Sequence, residues 1–248
     1  MERIQSVARA AVACLLGLVA TAPLAGGLTD LERRWLAVAE PVFAEARLRR
    51  LPLDVVVQPQ PNAGESPVAM AFVAGRCKLV LTLRAAGDPT PPAAGVDPGL
   101  ANPMVEAMFA HELAHCWRHT RGAWRAAPAG FAAPRAAPGA PAEVAALVDA
   151  MHATRLEEGF ADLVALAWTQ TRHPDRYPEV HAWLQAVRGD PPADDVHHDT
   201  RAWLALAADP TIFGRAGSVF DRAGPPWEAT LAGERAAAPD GSSRVAPP

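Results

Sequence analysis

The chain has 248 residues, half of them apolar, and a formal net charge of −4. Its length and apolar content exclude a disordered chain and are enough for one domain with a sizeable core. The slightly acidic balance, without a long basic run, lacks the charge pattern of nucleic-acid binding, so we expect no nucleic-acid partner.

Residues 1–25 have the pattern of a secretory signal peptide or an N-terminal anchor. Arg3 and Arg9 precede an apolar run from Ala10 to about Ala22, after which small residues follow. The run is shorter than the roughly 20 residues of a membrane span. Pro23 disfavours cleavage after Ala22, so both cleavage and an uncleaved tether stay open. We therefore expect an exported protein, periplasmic or secreted, with membrane association only through this segment.

The first elements after this segment are a broken helix and three short strands. Thr29 and Glu32 form the pattern of a capping box, and Pro41 should break the helix that they begin. Residues 53–58 predict a strand, and residues 67–84 predict two strands with a turn at 75–76. Along the last strand, alternate residues place an apolar set on one face: Cys77, Leu79, Leu81 and Leu83.

The rest of the chain is predicted to be mainly helical. Residues 85–101 are rich in Pro and Gly and predict a loop, after which Asn102 and Pro103 should begin a helix that ends near Thr120. Residues 121–142 are low in complexity and predict a flexible loop. Further helices are expected at about 142–171 and 177–188, and a shorter one follows residue 199.

These elements predict an α+β domain over residues 28–210. A small antiparallel sheet, formed by a hairpin, should pack on the helix that ends near Thr120, and the C-terminal part should be helical. Residues 211–248 are expected to form an irregular extension that is disordered from about residue 236.

The motif HELAH, residues 111–115, is the main functional signal. On a helix, His111 and His115 are one turn apart on the same side, so two imidazoles can bind one metal ion. Glu112 is placed beside them as a general base for the water that the metal activates. The alternative to a metal site is an ordinary helix face exposed to solvent. Apolar residues on two sides of this helix predict that it is buried, however, and buried ionisable groups need partners.

A third metal ligand must come from elsewhere in the chain. The continuation of the metzincin motif fails at Arg118 and Arg121, and a second Glu-x-x-His pair, as in a di-iron bundle, is absent from the sequence. Glu158 is four residues before Asp162 on a later predicted helix, so both share one side of it. We predict that Glu158, rather than Glu157, binds the metal and that Asp162 orients a ligating histidine.

HELAH followed by Glu158-x-x-Ala-Asp162 resembles the gluzincin metallopeptidases. Residues 71–82, a linker and residues 102–115 are similar to the hairpin and active-site helix of heat-shock and CAAX-prenyl type zinc proteases, without their membrane spans. The resemblance covers roughly residues 67–170. It implies one zinc ion held by two His and one Glu, and endopeptidase activity on a protein or peptide substrate.

A non-catalytic, zinc-stabilised binding module is the alternative function. Glu112 favours the enzyme, because a structural zinc site has no use for a base and usually fills all four positions with Cys or His. Among remaining histidines, only His119 continues the face of His111 and His115, and a surface position at the helix end is favoured for it.

Peptide hydrolysis also needs a donor for the oxyanion. In gluzincins a His, Tyr or Arg beyond the third-ligand helix does this. The segment that follows here contains His197, His198 and Arg201 at a loop-to-helix junction, and His198 is preferred by a small margin. Tyr177 and His173 are the next candidates.

Cys77 and Cys116 are the two cysteines outside the N-terminal segment. Each is predicted on an apolar face, the first of a strand and the second of the HELAH helix. They can meet if the hairpin packs on that helix, and an oxidising compartment would then join them. Two buried free thiols are the alternative.

Overall fold

In the part of the chain that the structure describes, seven helices and a three-stranded sheet form an α+β fold, as predicted. The computed structural model describes residues 27–59, 66–84, 98–128, 131, 139–189 and 196–237. The elements in chain order are α1 (Asp30–Val38), α2 (Glu40–Leu48), β1 (Leu53–Pro59), β2 (Val68–Val73), β3 (Arg76–Arg84), α3 (Pro98–Thr120), α4 (Ala142–Arg172), α5 (Tyr177–Arg188), α6 (Arg201–Leu206) and α7 (Val219–Ala237).

The predicted signal segment, residues 1–25, lies outside the described residues, as do residues 85–97 of the predicted loop and the tail from residue 238. Among the helices that are described, none has both the length and the apolar character needed to cross a membrane.

The first helix begins and breaks as predicted. Glu32 accepts a hydrogen bond from the backbone N–H of Thr29 at 2.7 Å, and its own N–H donates to the Thr29 hydroxyl at 3.2 Å, which is a complete capping box. The helix ends at Val38, and Pro41 lies in the first turn of α2. Glu32 is fully buried, and Arg84 on β3 donates to it at 2.6 Å, so the cap also ties α1 to the sheet.

The sheet is mixed rather than purely antiparallel. β2 and β3 form the predicted antiparallel hairpin, with Gly75 in the left-handed region (φ 74°) at its turn. β1 adds to the other side of β3 and runs parallel to it, giving the order β1-β3-β2. The chain reverses direction once before β2 and once after it, so β1 and β3 must point the same way.

A disulfide joins Cys77 on β3 to Cys116 on α3, with their Cα atoms 5.7 Å apart. Both residues are fully buried, on the same apolar faces that the sequence predicted. The bond fixes the sheet to the helix one residue after His115.

The helix α3 starts earlier than predicted, at Pro98 rather than after Asn102. Pro103 lies inside the helix, where its missing N–H leaves one backbone hydrogen bond unmade. The added turn brings Leu100 against a small buried cluster that includes Ala107 and Val180. Partial burial of this apolar side chain favours the added turn.

The predicted irregular extension after residue 210 is wrong, because residues 219–237 form α7. Gly224, Pro225 and Pro226 lower its intrinsic helix propensity. Its apolar side chains pack into the same core as α3 and α4, and Trp227 donates to the carbonyl of Leu156 at 2.9 Å. Tertiary packing therefore decides the conformation of this segment, and the domain extends to at least residue 237.

The helix α4 lies at the centre of the fold, and its residues 159–169 are all buried. Packing is closest at Gly159, where an added Cβ would lie 2.6 Å from the ring of Trp203 on α6. This buried stretch begins next to Glu158, so the position of that side chain is determined by packing on several sides.

Candidate metal centre

His111, His115 and Glu158 meet at the contact of α3 with α4. The Nε2 atoms of the two histidines are 3.2 Å apart. Glu158 places Oε2 3.5 Å from Nε2 of His111 and Oε1 3.5 Å from Nε2 of His115. One ligand atom from each residue thus lies within 4.8 Å of the others. The structure brings together the three side chains that the sequence predicted as metal ligands.

Asp162 contacts the far side of His111. Its Oδ1 lies 2.9 Å from Nδ1 of His111, and Thr200 donates to its Oδ2 at 2.6 Å. With a proton on Nδ1 directed at Asp162, the lone pair of Nε2 points toward Glu158 and His115. Asp162 therefore has the position expected of a residue that selects the tautomer of a ligating histidine.

Hydrogen bonds and nearby charges favour the charged forms of His111 and Glu158. Burial lowers the pKa of His111, but hydrogen bonds with Asp162 and Glu158 outweigh burial and raise the pKa to about 10. Burial raises the pKa of Glu158, whereas its bonds with both histidines bring it well below its usual value. His111 must release its Nε2 proton for that atom to bind a metal ion, so metal binding and proton release are coupled here.

Arg188, at the end of α5, is a contact that the motif analysis missed. Its Nη2 lies 2.9 Å from Oε2 of Glu158, and its Nε and Nη2 donate to the two oxygens of Asp162, each at 2.9 Å. The guanidinium compensates two buried carboxylates at once. Its only signal in the sequence was a basic residue in the last turn of a predicted helix, which does not indicate a partner.

Glu112 lies beside the triad and is not part of it. The charged groups that act on its carboxylate include His111, His115, Glu158 and Arg188. Burial raises the pKa of Glu112, and the two histidines oppose that shift. A raised pKa makes this carboxylate a better proton acceptor, which suits a residue next to a potential metal site to act as a general base.

Glu157 is engaged elsewhere, as predicted from its side of the helix. Its carboxylate accepts from Nε of Arg118 at 2.9 Å and from the backbone N–H of Arg125 at 2.6 Å. Both side chains of this ion pair are buried. Glu157 therefore braces the residues that follow α3.

Those residues belong to the predicted flexible loop, and residues 121–128 form turns and irregular backbone without helix or strand, as expected of a loop. Their flexibility stays a prediction. Residues 121–128 are described and pack onto α3 and α4, while 129–130 and 132–138 lie outside the described part. Arg118 holds the segment by donating from Nη2 to the carbonyls of Ala123 and Ala126 at 2.8 and 2.7 Å. The contacts of Glu157 with Arg118 and Arg125 join positions 39 and 32 residues apart and have no signature in the local sequence.

The predicted oxyanion donors lie on the segment that packs against α4. His197 and His198 are in a short 3₁₀ turn with their ring centroids 4.2 Å apart, and Arg201 is paired with Asp199 at 2.8 Å. Thr200 in the same segment reaches Asp162, so the segment adjoins the triad. The donor role of His198, His197 or Arg201 stays a prediction.

Tyr177, His173 and His119 make contacts with other parts of the fold. The Tyr177 hydroxyl donates to the carbonyl of Ala207 at 2.6 Å and is buried. His173 lies 3.1 Å from Glu106, at the far end of α4. His119 stacks on Phe72, with ring centroids 3.9 Å apart.

Comparisons of the chain with protein-family models, with curated proteins and with solved structures give no match. The gluzincin resemblance therefore rests on the motif residues, and a functional proposal must be argued from the geometry of the site.

Proposed function

We propose that the protein is an exported zinc-dependent endopeptidase. The observation that carries the proposal is the convergence of His111, His115 and Glu158, with Asp162 behind His111 and Glu112 beside the triad but outside it. Two imidazoles and one carboxylate are the donor set of a catalytic zinc site, which keeps a further coordination position open.

The donor set fits zinc better than a hard cation, because magnesium and calcium prefer oxygen ligands. The residue behind His111 also fits, since ligating histidines almost always donate their other N–H to a carboxylate or carbonyl. A zinc ion held here would supply a Lewis acid and lower the pKa of water to about 7.

Residues of the chain would carry out proton transfer, position the metal ligands and stabilise the oxyanion. Glu112 takes the proton of the attacking water on its carboxylate and returns it to the leaving amine. Asp162 and Arg188 hold His111 and Glu158 in place. A donor from the segment 197–201, with His198 preferred, would stabilise the charge on the attacked carbonyl.

A protein or peptide substrate is favoured by the sheet beside the site. Among the described strands, β2 has a hydrogen-bonded neighbour on one side only, and its Phe72 contacts His119 on α3. An unpaired strand edge can align an extended peptide by main-chain hydrogen bonds. Export is supported by the Cys77–Cys116 disulfide, because such bonds persist in oxidising compartments.

The test combines metal analysis with peptide cleavage. We expect one zinc ion per chain, cleavage of a mixed peptide library, and loss of cleavage after chelation that zinc restores. Glu112→Gln should keep the zinc and lose hydrolysis, because it keeps the shape of the side chain and removes the base. Glu143→Gln, at an exposed position on α4, is the matched control and should cleave normally.

Two outcomes would contradict the proposal. Cleavage by Glu112→Gln at the wild-type rate would exclude Glu112 as the base. Stoichiometric zinc with no cleavage by the wild type would favour a zinc-stabilised binding module instead.

A further inference from the structure

Three aromatic rings from separate segments meet beside the metal centre. Phe72 on β2 stacks on His119 at 3.9 Å between ring centroids, and Trp124 meets Phe72 edge-on at 4.8 Å. Trp124 also lies edge-on to the ligand His115, with centroids 5.5 Å apart. All three rings are only partly buried. An apolar surface next to the predicted ligands is therefore open to solvent.

The backbone around Trp124 is held by groups that take no part in binding metal. Arg118 donates to the carbonyls on both sides of the short segment 123–126, and Glu157 accepts from the N–H of Arg125. The two side chains pair with each other and are 7% and 1% exposed. Arg125 adopts a left-handed conformation (φ 59°) within this turn. A buried ion pair and a residue in a strained conformation thus fix the position of one partly exposed tryptophan.

Such an arrangement suits recognition better than packing. A tryptophan that only shielded His115 would gain most by full burial, whereas this ring keeps an exposed part. Aromatic rings with few rotatable bonds make rigid apolar contacts at low entropic cost. The proposed function gives no role to Trp124 or to the Arg118–Glu157 pair.

We propose that Trp124 and Phe72 form the wall of a substrate subsite that takes an apolar or aromatic side chain close to the scissile bond. This inference rests on the proposed peptidase function and adds the substrate class. A charged group close to the wall is Arg125, whose guanidinium carbon is 5.8 Å from the Trp124 ring, and this residue is exposed. Selection of an acidic side chain by Arg125 is the competing outcome.

The experiment uses the full chain loaded with zinc and a matched peptide series. The peptides carry Phe, Leu, Ala, Lys or Glu at each position flanking the scissile bond. For one flanking position we expect kcat/KM to favour Phe and Leu over Ala by roughly 10–100-fold, the usual range for apolar pockets. In Trp124→Ala this preference should fall to less than about threefold, while zinc content is retained.

Trp117→Ala is the matched control, because Trp117 stacks on Phe220 at 4.3 Å on the α7 side. It should keep the apolar preference. Trp124→Phe should restore a large part of the preference if the ring itself makes the contact, and it covers the case in which the alanine variant fails to fold.

Failure of this inference is separable from failure of the proposed function. If the wild type cleaves peptides without an apolar preference, or prefers Glu, the subsite is wrong and the peptidase stands. If the wild type cleaves none of the peptides, their binding is titrated by calorimetry. Tighter binding of Phe than of Ala peptides to the wild type, lost in Trp124→Ala, supports the wall, and equal binding overturns it.

Discussion

Nη2 of Arg188 lies 2.9 Å from Oε2 of Glu158, although the two residues are 30 positions apart in the chain. The same guanidinium binds both oxygens of Asp162. Arg188 therefore connects the predicted ligand Glu158 with Asp162, which contacts the predicted ligand His111. A metal dication bound here would add further positive charge.

Arg188→Ala should destabilise the metal-free protein by about 3 kcal/mol, because it leaves two buried carboxylates short of a partner. Added zinc should recover more stability in the variant than in the wild type, since the dication replaces the lost charge. Denaturant unfolding with and without zinc measures both effects. Arg47→Ala, which removes an exposed pair with Glu40, is the control and should change stability by less than about 1 kcal/mol. Equal zinc stabilisation in variant and wild type would contradict this account.

Asp162→Asn should lower zinc affinity by roughly 10–100-fold. The amide can present a donor to Nδ1 of His111, which opposes the tautomer that leaves Nε2 free for metal. Competition with a chelator of known affinity provides the measurement. Thr200→Val removes only the bond to Oδ2 and should have a smaller effect. An unchanged affinity in Asp162→Asn would show that Asp162 does not orient His111 for metal binding and serves as a partner of Arg188 and Thr200.

Replacement of the oxyanion donor should lower kcat by roughly 10²–10³ while zinc content stays intact. His198→Ala is expected to show this loss, ahead of His197→Ala and Arg201→Ala. Steady-state kinetics on one peptide, with zinc measured on the same samples, distinguishes the three. Full kcat in all three variants would place the donor outside this segment.

Removal of the disulfide should destabilise the protein by about 4 kcal/mol on the chain-entropy estimate for the loop it closes. Cys77 and Cys116 are 39 positions apart, and the bond attaches the sheet to α3 next to His115. The double variant Cys77→Ala/Cys116→Ala and the chemically reduced wild type should lose similar stability in denaturant unfolding. If neither loses more than about 1 kcal/mol, the bond has no structural role of this size.

Gly159→Ala should destabilise the fold by about 1–3 kcal/mol, because the new Cβ would lie 2.6 Å from the fully buried ring of Trp203. Gly233→Ala on α7 has no atom within 4 Å of the new Cβ and should be neutral or stabilising by up to about 1 kcal/mol. Thermal and denaturant unfolding of the two variants make a direct comparison. Equal stability of both variants would show that the contact at Trp203 relaxes without loss.

Features encoded by spacing along one element were predictable. His111 and His115 share a side because a helix repeats every 3.6 residues. By the same rule Glu158, and not Glu157, lies on the side of α4 that carries Asp162. The alternation of β3 placed Cys77 on the core face, and the capping box located the start of α1. Each of these inferences uses neighbours within about four residues.

Features that depend on contacts between distant segments were decided only by tertiary structure. No local sequence pattern indicates that β1 pairs in parallel or that α7 is helical. The same is true of the contacts that Arg188, Thr200 and Trp124 make at the site. Arg188 resembles any basic residue at a helix end until α5 packs beside α4. Trp124 stands in a sequence of low complexity, and the distant Glu157 helps to hold its backbone in place through Arg125 and Arg118. Local sequence thus determined which side chains could bind a metal, whereas packing of α3, α4 and α5 decided which charges surround them and which surface lies beside them.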